Sequence, residues 1–227
     1  MLPINVMYDS GITRTEEAAI IAGLDEVKRL LGGLEYTNFG SRSWGEGDFS
    51  SADWYVQHAH VVPRLDRFQL DAGSLLYLLQ VEPWQEHEHI DVMFTSHDLA
   101  IMDEDDHYLN FVFGVAHDRY TVQSVARYRE LPEFERYLAI KMVVQHELGH
   151  IFSMAADLSR LNTEDSLGPH CTNFGCVMRQ GLSVPEWVQH ALESHATGMV
   201  YCPQCLADAG VSVYDQARTQ LELMQAC

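Results

Sequence analysis

The sequence predicts a mixed α/β (α+β) fold, with a sheet-containing first half and a smaller, mostly helical second half. Three observations carry this. The first forty residues read strand, helix, strand, which is the start of an α/β layer. Short β-rich runs recur up to about residue 125. A long apolar helix then starts at Pro132-Glu133, and from its end onward the chain is dominated by helical patterns and by closely spaced His and Cys.

Taken in order, Ile4-Asn5-Val6-Met7-Tyr8 alternates as a strand does. Thr13-Arg14-Thr15-Glu16 fits a capping box, and Ile20, Leu24, Val27 and Leu31 follow at helical spacing until Gly32-Gly33 stops the helix. Leu34 to Phe39 reads as a second strand, and the Ser/Gly-rich stretch from Gly40 to Ser51 as a loop. Trp54 to Val62 is expected to be a further strand that puts His58 and His60 on one face, where a half-exposed strand is preferred to a metal site. Leu70 to Gln80 reads as a short apolar helix and His89 to Thr95 as a strand. Glu86-His87-Glu88-His89 and the acidic run Asp103-Glu104-Asp105-Asp106 read as solvated; the latter lacks the glycine and spaced oxygens of a calcium loop. Asn110 to Ala116 and Thr121 to Val125 are the remaining strands. The helix from Pro132-Glu133 to His150 is apolar almost all round and is expected to be buried. Ser183-Val184-Pro185-Glu186 opens another capped helix, running to about Gly198. Tyr214 to Ala226 is expected to be a last amphipathic helix. The whole chain, residues 1–227, reads as one domain of two halves, 1–152 and 153–227, across a cleft.

Composition narrows the function. Thirty-three acidic against fourteen basic residues give a net charge of −19 at pH 7, which argues against nucleic acid or an anionic membrane as partner. No run approaches the length of a transmembrane helix. The first thirty residues lack the basic start, apolar run and cleavage site of a signal peptide, so a cytoplasmic location is expected. There, cysteines are better placed as thiolate ligands than as disulfides.

Four of the five cysteines do stand in ligand spacing. His146-Glu147-Leu148-Gly149-His150 is an H-E-x-x-H, and on a helix residues four apart share a face. His146 and His150 can therefore hold one metal, with Glu147 beside it as base for a water molecule. His170-Cys171 follows, then Cys176, Met178 and the pair Cys202 and Cys205. Cys171-x4-Cys176 and Cys202-x2-Cys205 have the look of a four-thiolate zinc site.

Together these residues resemble the archaemetzincins, whose pattern is H-E-x-x-H-x-x-G-x-x-H-C-x4-C-x-M, a spacer, then C-x-x-C. The match covers His146, Glu147, His150, His170, Cys171, Cys176, Met178, Cys202 and Cys205. Two departures stand out. The family's glycine falls on Ser153, and sixteen residues rather than two separate that position from His170, so that residues 154–169 read as an insertion. The spacer from Met178 to Cys202 is also longer. The resemblance implies a metzincin-like fold: a twisted mixed sheet with two long helices above the cleft and a zinc-containing C-terminal half below. It also implies a sheet edge near residues 110–118 that pairs with extended substrate, and a methionine turn at Met178 beneath the three histidines. It implies two zinc ions. One is catalytic, on His146, His150 and His170; the other is structural, on the four cysteines.

Asp157 is a second candidate for third ligand, one residue beyond the family's position at Ala156. His170 is preferred, because Met154 to Leu158 is good helix sequence that would carry Asp157 along the axis and away, and the polar run 162–169 would bring His170 back. The function expected is a zinc metallopeptidase acting on peptide or protein substrates. The residues are compatible with endopeptidase and aminopeptidase action alike. The alternative is a catalytically weak or inactive zinc-stabilised module that binds peptides or proteins.

Overall fold

The computed structural model describes residues 2–43, 51–64, 66–81, 88–103 and 105–210. The expected helix over Tyr214–Ala226, Cys227, most of the Gly40–Ser51 loop and the pair Glu86-His87 lie outside the described residues. The chain divides into two compact units. One comprises Met1–Ala18 and Leu34–Glu130, the other Ala19–Gly33 and Leu131–Cys227.

The first unit is built on a mixed five-stranded sheet in the order β2-β1-β4-β7-β6, with β1 at Ile4–Tyr8, β2 at Tyr36–Gly40, β4 at Ile90–Thr95, β6 at Gly114–His117 and β7 at Tyr120–Ser124. β1 pairs in parallel with β2 and β4, and β4 in parallel with β7. β6 is the antiparallel edge. Every residue of β4 is buried. The face of the sheet that carries Met7, Met93 and Val122 is covered by α2 (Ala52–His58), against β1 and β4, and α3 (Ala72–Gln80), against β6 and β7. Met7, Tyr55, Leu75, Leu79, Met93 and Val122 meet between them in one apolar core. A two-residue pair, β3 (Leu70–Asp71) with β5 (Leu99–Ala100), stands apart from the main sheet.

Helix α1, Arg14–Leu31, is divided between the two units. It starts on the expected capping box: Thr13 N donates to Glu16 Oε2 at 2.8 Å and Glu16 N to Thr13 Oγ1 at 3.3 Å. The Glu16 side chain is 2% exposed. Burial alone would raise its carboxyl, but hydrogen bonds from Arg129 and Thr13 outweigh burial and hold it below the usual carboxylate range. Gly32 and Gly33, with φ of +65° and +64°, end the helix.

Two elements of the first unit depart from the sequence reading: the strand expected over Asn110–Ala116 is found as β6, Gly114–His117, and a helix stands where Trp54–Val62 was expected to be a strand. Residues 54–62 do not form a strand: Ala52–His58 is helix α2, His58 closes it, Ala59 caps it in extended backbone, and His60 lies beyond its end. Ser51 caps it by accepting from Trp54 N, and His58 stacks on Trp54 one turn earlier at 4.1 Å between ring centroids. The buried residues Ala52, Tyr55, Ala59 and Val62 recur at spacings of three and four, a helical period that an alternating reading passes over.

The second unit is built on α4 (Glu133–Ile151) packed against α5 (Val184–Thr197). Glu133 and Glu135 lie in the first turn of α4, at the positive end of the helix. Gly23 of α1 lies so close to α4 that a Cβ there would sit 2.8 Å from Val144 Cβ. α5 carries the expected Ser183 cap and ends on Gly198 at φ +67°. Its Trp187 indole donates to Ala139 O of α4 at 3.1 Å. The unit is completed by an antiparallel pair, β8 (Thr163–Asp165) with β9 (Pro169–Cys171), and by the short α6 (Pro203–Asp208). Among the described residues, no helix is long and apolar enough to cross a membrane.

Candidate metal centres

All seven His and Cys residues of the motif lie in the second unit, and they fall into two clusters. His146, His150 and His170 form one and Cys171, Cys176, Cys202 and Cys205 the other, with ligand atoms in each cluster within 4.8 Å of one another.

His146 and His150 project from the last two turns of α4, one turn apart, as the spacing requires. How α4 ends decides where the chain goes next. It does not continue through Met154 to Leu158 as helix propensity suggests. Phe152 is its C-cap, and Ser153 adopts φ +58°. Met154 N then donates to Gly149 O at 2.9 Å and Ser153 N to His150 O at 3.0 Å. This pair of bonds is a Schellman motif, the usual stop signal in which a left-handed residue lets the chain satisfy the last carbonyls. Serine here takes the conformation that glycine takes most readily. Met154 behind it is fully buried, so packing and hydrogen bonds together override propensity.

The polar run expected to return the chain contains a hairpin, β8 with β9, turning at Leu167 and Gly168 with φ of +56° and +111°. β9 delivers His170 and Cys171 in succession. Asp157 stays exposed, its carboxylate accepting from Ser159 N at 2.9 Å, and is not among the clustered ligands.

The three imidazoles meet through their Nε2 atoms. His146 Nε2 lies 3.1 Å from His150 Nε2 and 3.2 Å from His170 Nε2. The far sides of two rings are fixed by backbone carbonyls: His146 Nδ1 lies 2.7 Å from Val177 O and His170 Nδ1 2.8 Å from Gly168 O. A carbonyl only accepts, so those Nδ1 atoms carry the protons and the lone pairs of both Nε2 atoms face the cluster. Lone pairs at such distances repel unless a cation lies among them. A tetrahedral zinc with bonds of about 2.0–2.1 Å would set its nitrogens about 3.3 Å apart. Burial, reinforced by the neighbouring rings, holds His146 well below the ordinary imidazole range; burial and the proximity of the His170 ring take His150 down to about 3, and burial lowers His170. All three are therefore neutral, the form that binds metal.

The sulfurs tell the same story. Cys171 and Cys202 Sγ lie 3.7 Å apart, and Cys176 and Cys205 Sγ 3.8 Å apart. Four bonds of about 2.3 Å in a tetrahedron give separations of about 3.8 Å. Disulfide sulfurs would sit at about 2.0 Å, so these four are thiols spaced as zinc ligands are. All four are buried. The two clusters are linked through the backbone, since Cys171 N donates to Met178 O at 2.8 Å while the neighbouring Val177 O holds His146.

Met178 is fully buried against α4 beside the histidines: a Cβ on Gly149 would lie 2.2 Å from its sulfur. Glu147, between the two histidines of the helix, is 5% exposed, and burial pushes its carboxyl up to about 8. Trp187, whose ring centroid is 5.2 Å from that of His146, is a further wall of the cluster that the motif alone does not reveal. Its position in the capped α5, on the face that packs on α4, was the available signal.

An H-E-x-x-H helix, a third histidine brought in from a strand, a buried methionine and an adjacent four-cysteine cluster form one particular combination. The chain is similar to the archaemetzincins. It is 33% identical over 106 residues to an archaemetzincin of Pyrococcus horikoshii, covering 43% of this chain and 45% of that one. Over 89 residues it is 42% identical to an archaemetzincin of Nanoarchaeum equitans, covering 38% and 41%. These matches thus span less than half the length of the curated relatives. The crystal structure of archaemetzincin from Methanopyrus kandleri matches 92% of this chain and 93% of its own at TM-score 0.63 and 21% identity, so the mixed α/β fold is the archaemetzincin fold. No family model matches the chain.

Proposed function

We propose that this protein is a zinc-dependent peptidase of archaemetzincin type. The observation that carries the proposal is the convergence of three neutral imidazoles on one point, with the buried carboxylate of Glu147 next to the first of them on the same helix. His146, His150 and His170 would hold the catalytic ion, and the four cysteines would hold a second, structural one. When bound, the catalytic zinc would supply Lewis acidity to a substrate carbonyl and to a water molecule.

The protein's own groups do the rest. Val177 O and Gly168 O keep His146 and His170 in the tautomer that presents Nε2. Met178 and Trp187 give the histidines an apolar backing that keeps the rings in place. Glu147 takes a proton at its carboxylate from the attacking water and returns it to the departing amine. Its burial suits that double duty, since a carboxyl pushed towards neutral pH both accepts and releases a proton there, and a nearby cation draws it back down. No side chain needs to form a covalent bond to the substrate, which we take to be a peptide or protein.

The test compares native protein with Glu147→Gln after metal analysis of both. The amide keeps the shape but cannot take a proton, so peptide hydrolysis should fall by about two to four powers of ten with the zinc content unchanged. Undiminished hydrolysis by the variant would place the base elsewhere. Native protein that carries zinc yet cleaves nothing in a broad peptide library would favour a binding role instead.

A further inference from the structure

A zinc ion held by four thiolates carries a net charge of about −2. Here that charge would be buried, because the four cysteines are at most 2% exposed. Buried charge is costly unless donors and counter-charge face it. Two backbone amides contribute: Asn173 N donates to Cys171 Sγ at 3.4 Å and Cys202 N to Cys176 Sγ at 3.3 Å. Two side chains do so as well, and both stand in residues 154–169, the stretch by which this chain exceeds the archaemetzincin pattern. Arg160 Nη2 donates to Cys205 Sγ at 3.8 Å and Asn162 Nδ2 to Cys171 Sγ at 3.7 Å. The two donors thus reach one cysteine from each close pair.

Neither side chain is placed loosely. The Arg160 guanidinium is aimed by Asp208 of α6, whose Oδ2 lies 3.1 Å from Nη1 and also accepts from Ala155 N at 2.9 Å. Its backbone carbonyl accepts from Thr163 Oγ1 at 3.0 Å. Asn162 O accepts from Thr172 N at 2.9 Å, tying the start of the hairpin to the residue after Cys171. Arg160 is only 13% exposed, so water screens it weakly from the sulfurs. A segment that merely closed a gap would not need a braced, buried cation pointing at a thiolate.

We propose that Arg160 and Asn162 form a cationic, hydrogen-bonding cover over the four-thiolate site, and that this cover sets how slowly the site gives up its metal and how slowly its sulfurs react with electrophiles. The inference rests on the reading that the four cysteines hold zinc. N–H donors and a positive charge stabilise the thiolates where they are, which lowers their tendency to leave the metal or to attack.

The experiment uses the full chain, purified with zinc, and begins by counting zinc and reactive thiols in the native protein. Four cysteines that react with N-ethylmaleimide at the rate of free thiols would overturn the thiolate-zinc reading before any variant is made. With that reading standing, release of the slowly exchanging zinc to a chromogenic chelator is timed for Arg160→Met, Asn162→Leu and Leu161→Ser. Leu161 is fully exposed and serves as control. Arg160→Met should release zinc and be alkylated about tenfold or more faster, Asn162→Leu several-fold faster, and Leu161→Ser at the native rate, in line with the about 10–100-fold effects of groups that support metal ligands. Circular dichroism reports whether each variant is folded. If Arg160→Met does not fold, Asn162→Leu decides. Folded variants that release zinc and react at native rates would overturn the proposal while leaving the thiolate zinc in place.

Discussion

Replacing Ser153 by glycine should stabilise the protein, an unusual outcome for a change one turn from the histidine cluster. Ser153 sits at φ +58° directly after α4, exposed, with its amide bonded to His150 O. A left-handed conformation costs an L-residue roughly 1–2 kcal/mol. Glycine removes that cost but gives up about 0.5–1 kcal/mol of extra chain entropy on folding. The balance favours Ser153→Gly by about 0.5–1 kcal/mol, or about 1–4 °C in melting temperature for a protein of this size. The assay is thermal unfolding by circular dichroism at fixed excess zinc, because bound metal shifts stability by mass action. Ser153→Ala has the same backbone cost as serine and should melt within about 1 °C of the native protein. Ser153→Val, branched at Cβ, should melt lower. The sign is decisive. If α4 ran on through residues 154–158, glycine at 153 would be internal to a helix and would destabilise by up to about 1 kcal/mol. A lower melting temperature for Ser153→Gly would refute the helix stop described here.

Four further outcomes are expected. His170→Ala should lose the labile zinc while Asp157→Ala keeps it, as read by metal analysis after gel filtration; the reverse pattern would make Asp157 the ligand. Brief treatment with a mild chelator should remove one zinc equivalent and leave the far-ultraviolet spectrum intact, because a three-histidine zinc would keep an open position and a four-thiolate zinc would be closed; loss of structure with the first equivalent would contradict this. Gly149→Ala should destabilise by about 1–3 kcal/mol in urea unfolding, since its methyl would lie 2.2 Å from Met178 Sδ and overpacking outweighs the helix-propensity gain; a more stable variant would show that Met178 yields freely. Arg129→Met should cost about 1–2 kcal/mol near neutral pH. Glu16 is held below the usual carboxylate range, so its contribution is present above the unfolded-state value and is lost as pH falls through the folded-state value; a stability difference that persists undiminished in acid would mean that this pair is not its source.

Much of the fold was legible because its signals are local. The Thr13–Glu16 box, the glycine stops at Gly32 and Gly198 and the i, i+4 placement of His146 and His150 each need only a few neighbouring residues, and the structure shows each as read. The strand Ile4–Tyr8 was visible from its alternation, and Ile90–Thr95 falls within the strand read at His89–Thr95. What escaped depended on contacts distant in sequence or on competing local patterns. Residues 154–158 favour helix, yet the buried Met154 and the carboxylate of Asp208 bonding Ala155 N hold the chain in a turn. Residues 54–62 show alternation and helical periodicity at once, and the Ser51 cap selects the helix. The β8–β9 pairing brings together residues that a one-dimensional reading sees only as a polar run. Arg160 and Asn162 carried no sequence signal at all, because nothing but the hairpin's path puts them over the cysteines.

Cys171 has a consequence for how this chain can vary. It follows His170 directly on β9, its amide bonds Met178 O, and its sulfur lies among three others contributed from further along the sequence. The position of the third histidine is thus fixed from its C-terminal side, and the number of residues since His150 hardly enters. Lengthening a flexible link from two residues to sixteen costs only about 2 kcal/mol of closure entropy. A clamp at one end tolerates a change of length at the other, so the exposed residues 156–159, outside the β8–β9 hairpin and clear of Arg160, Asn162 and Gly168, are where added residues are expected to leave the histidines meeting.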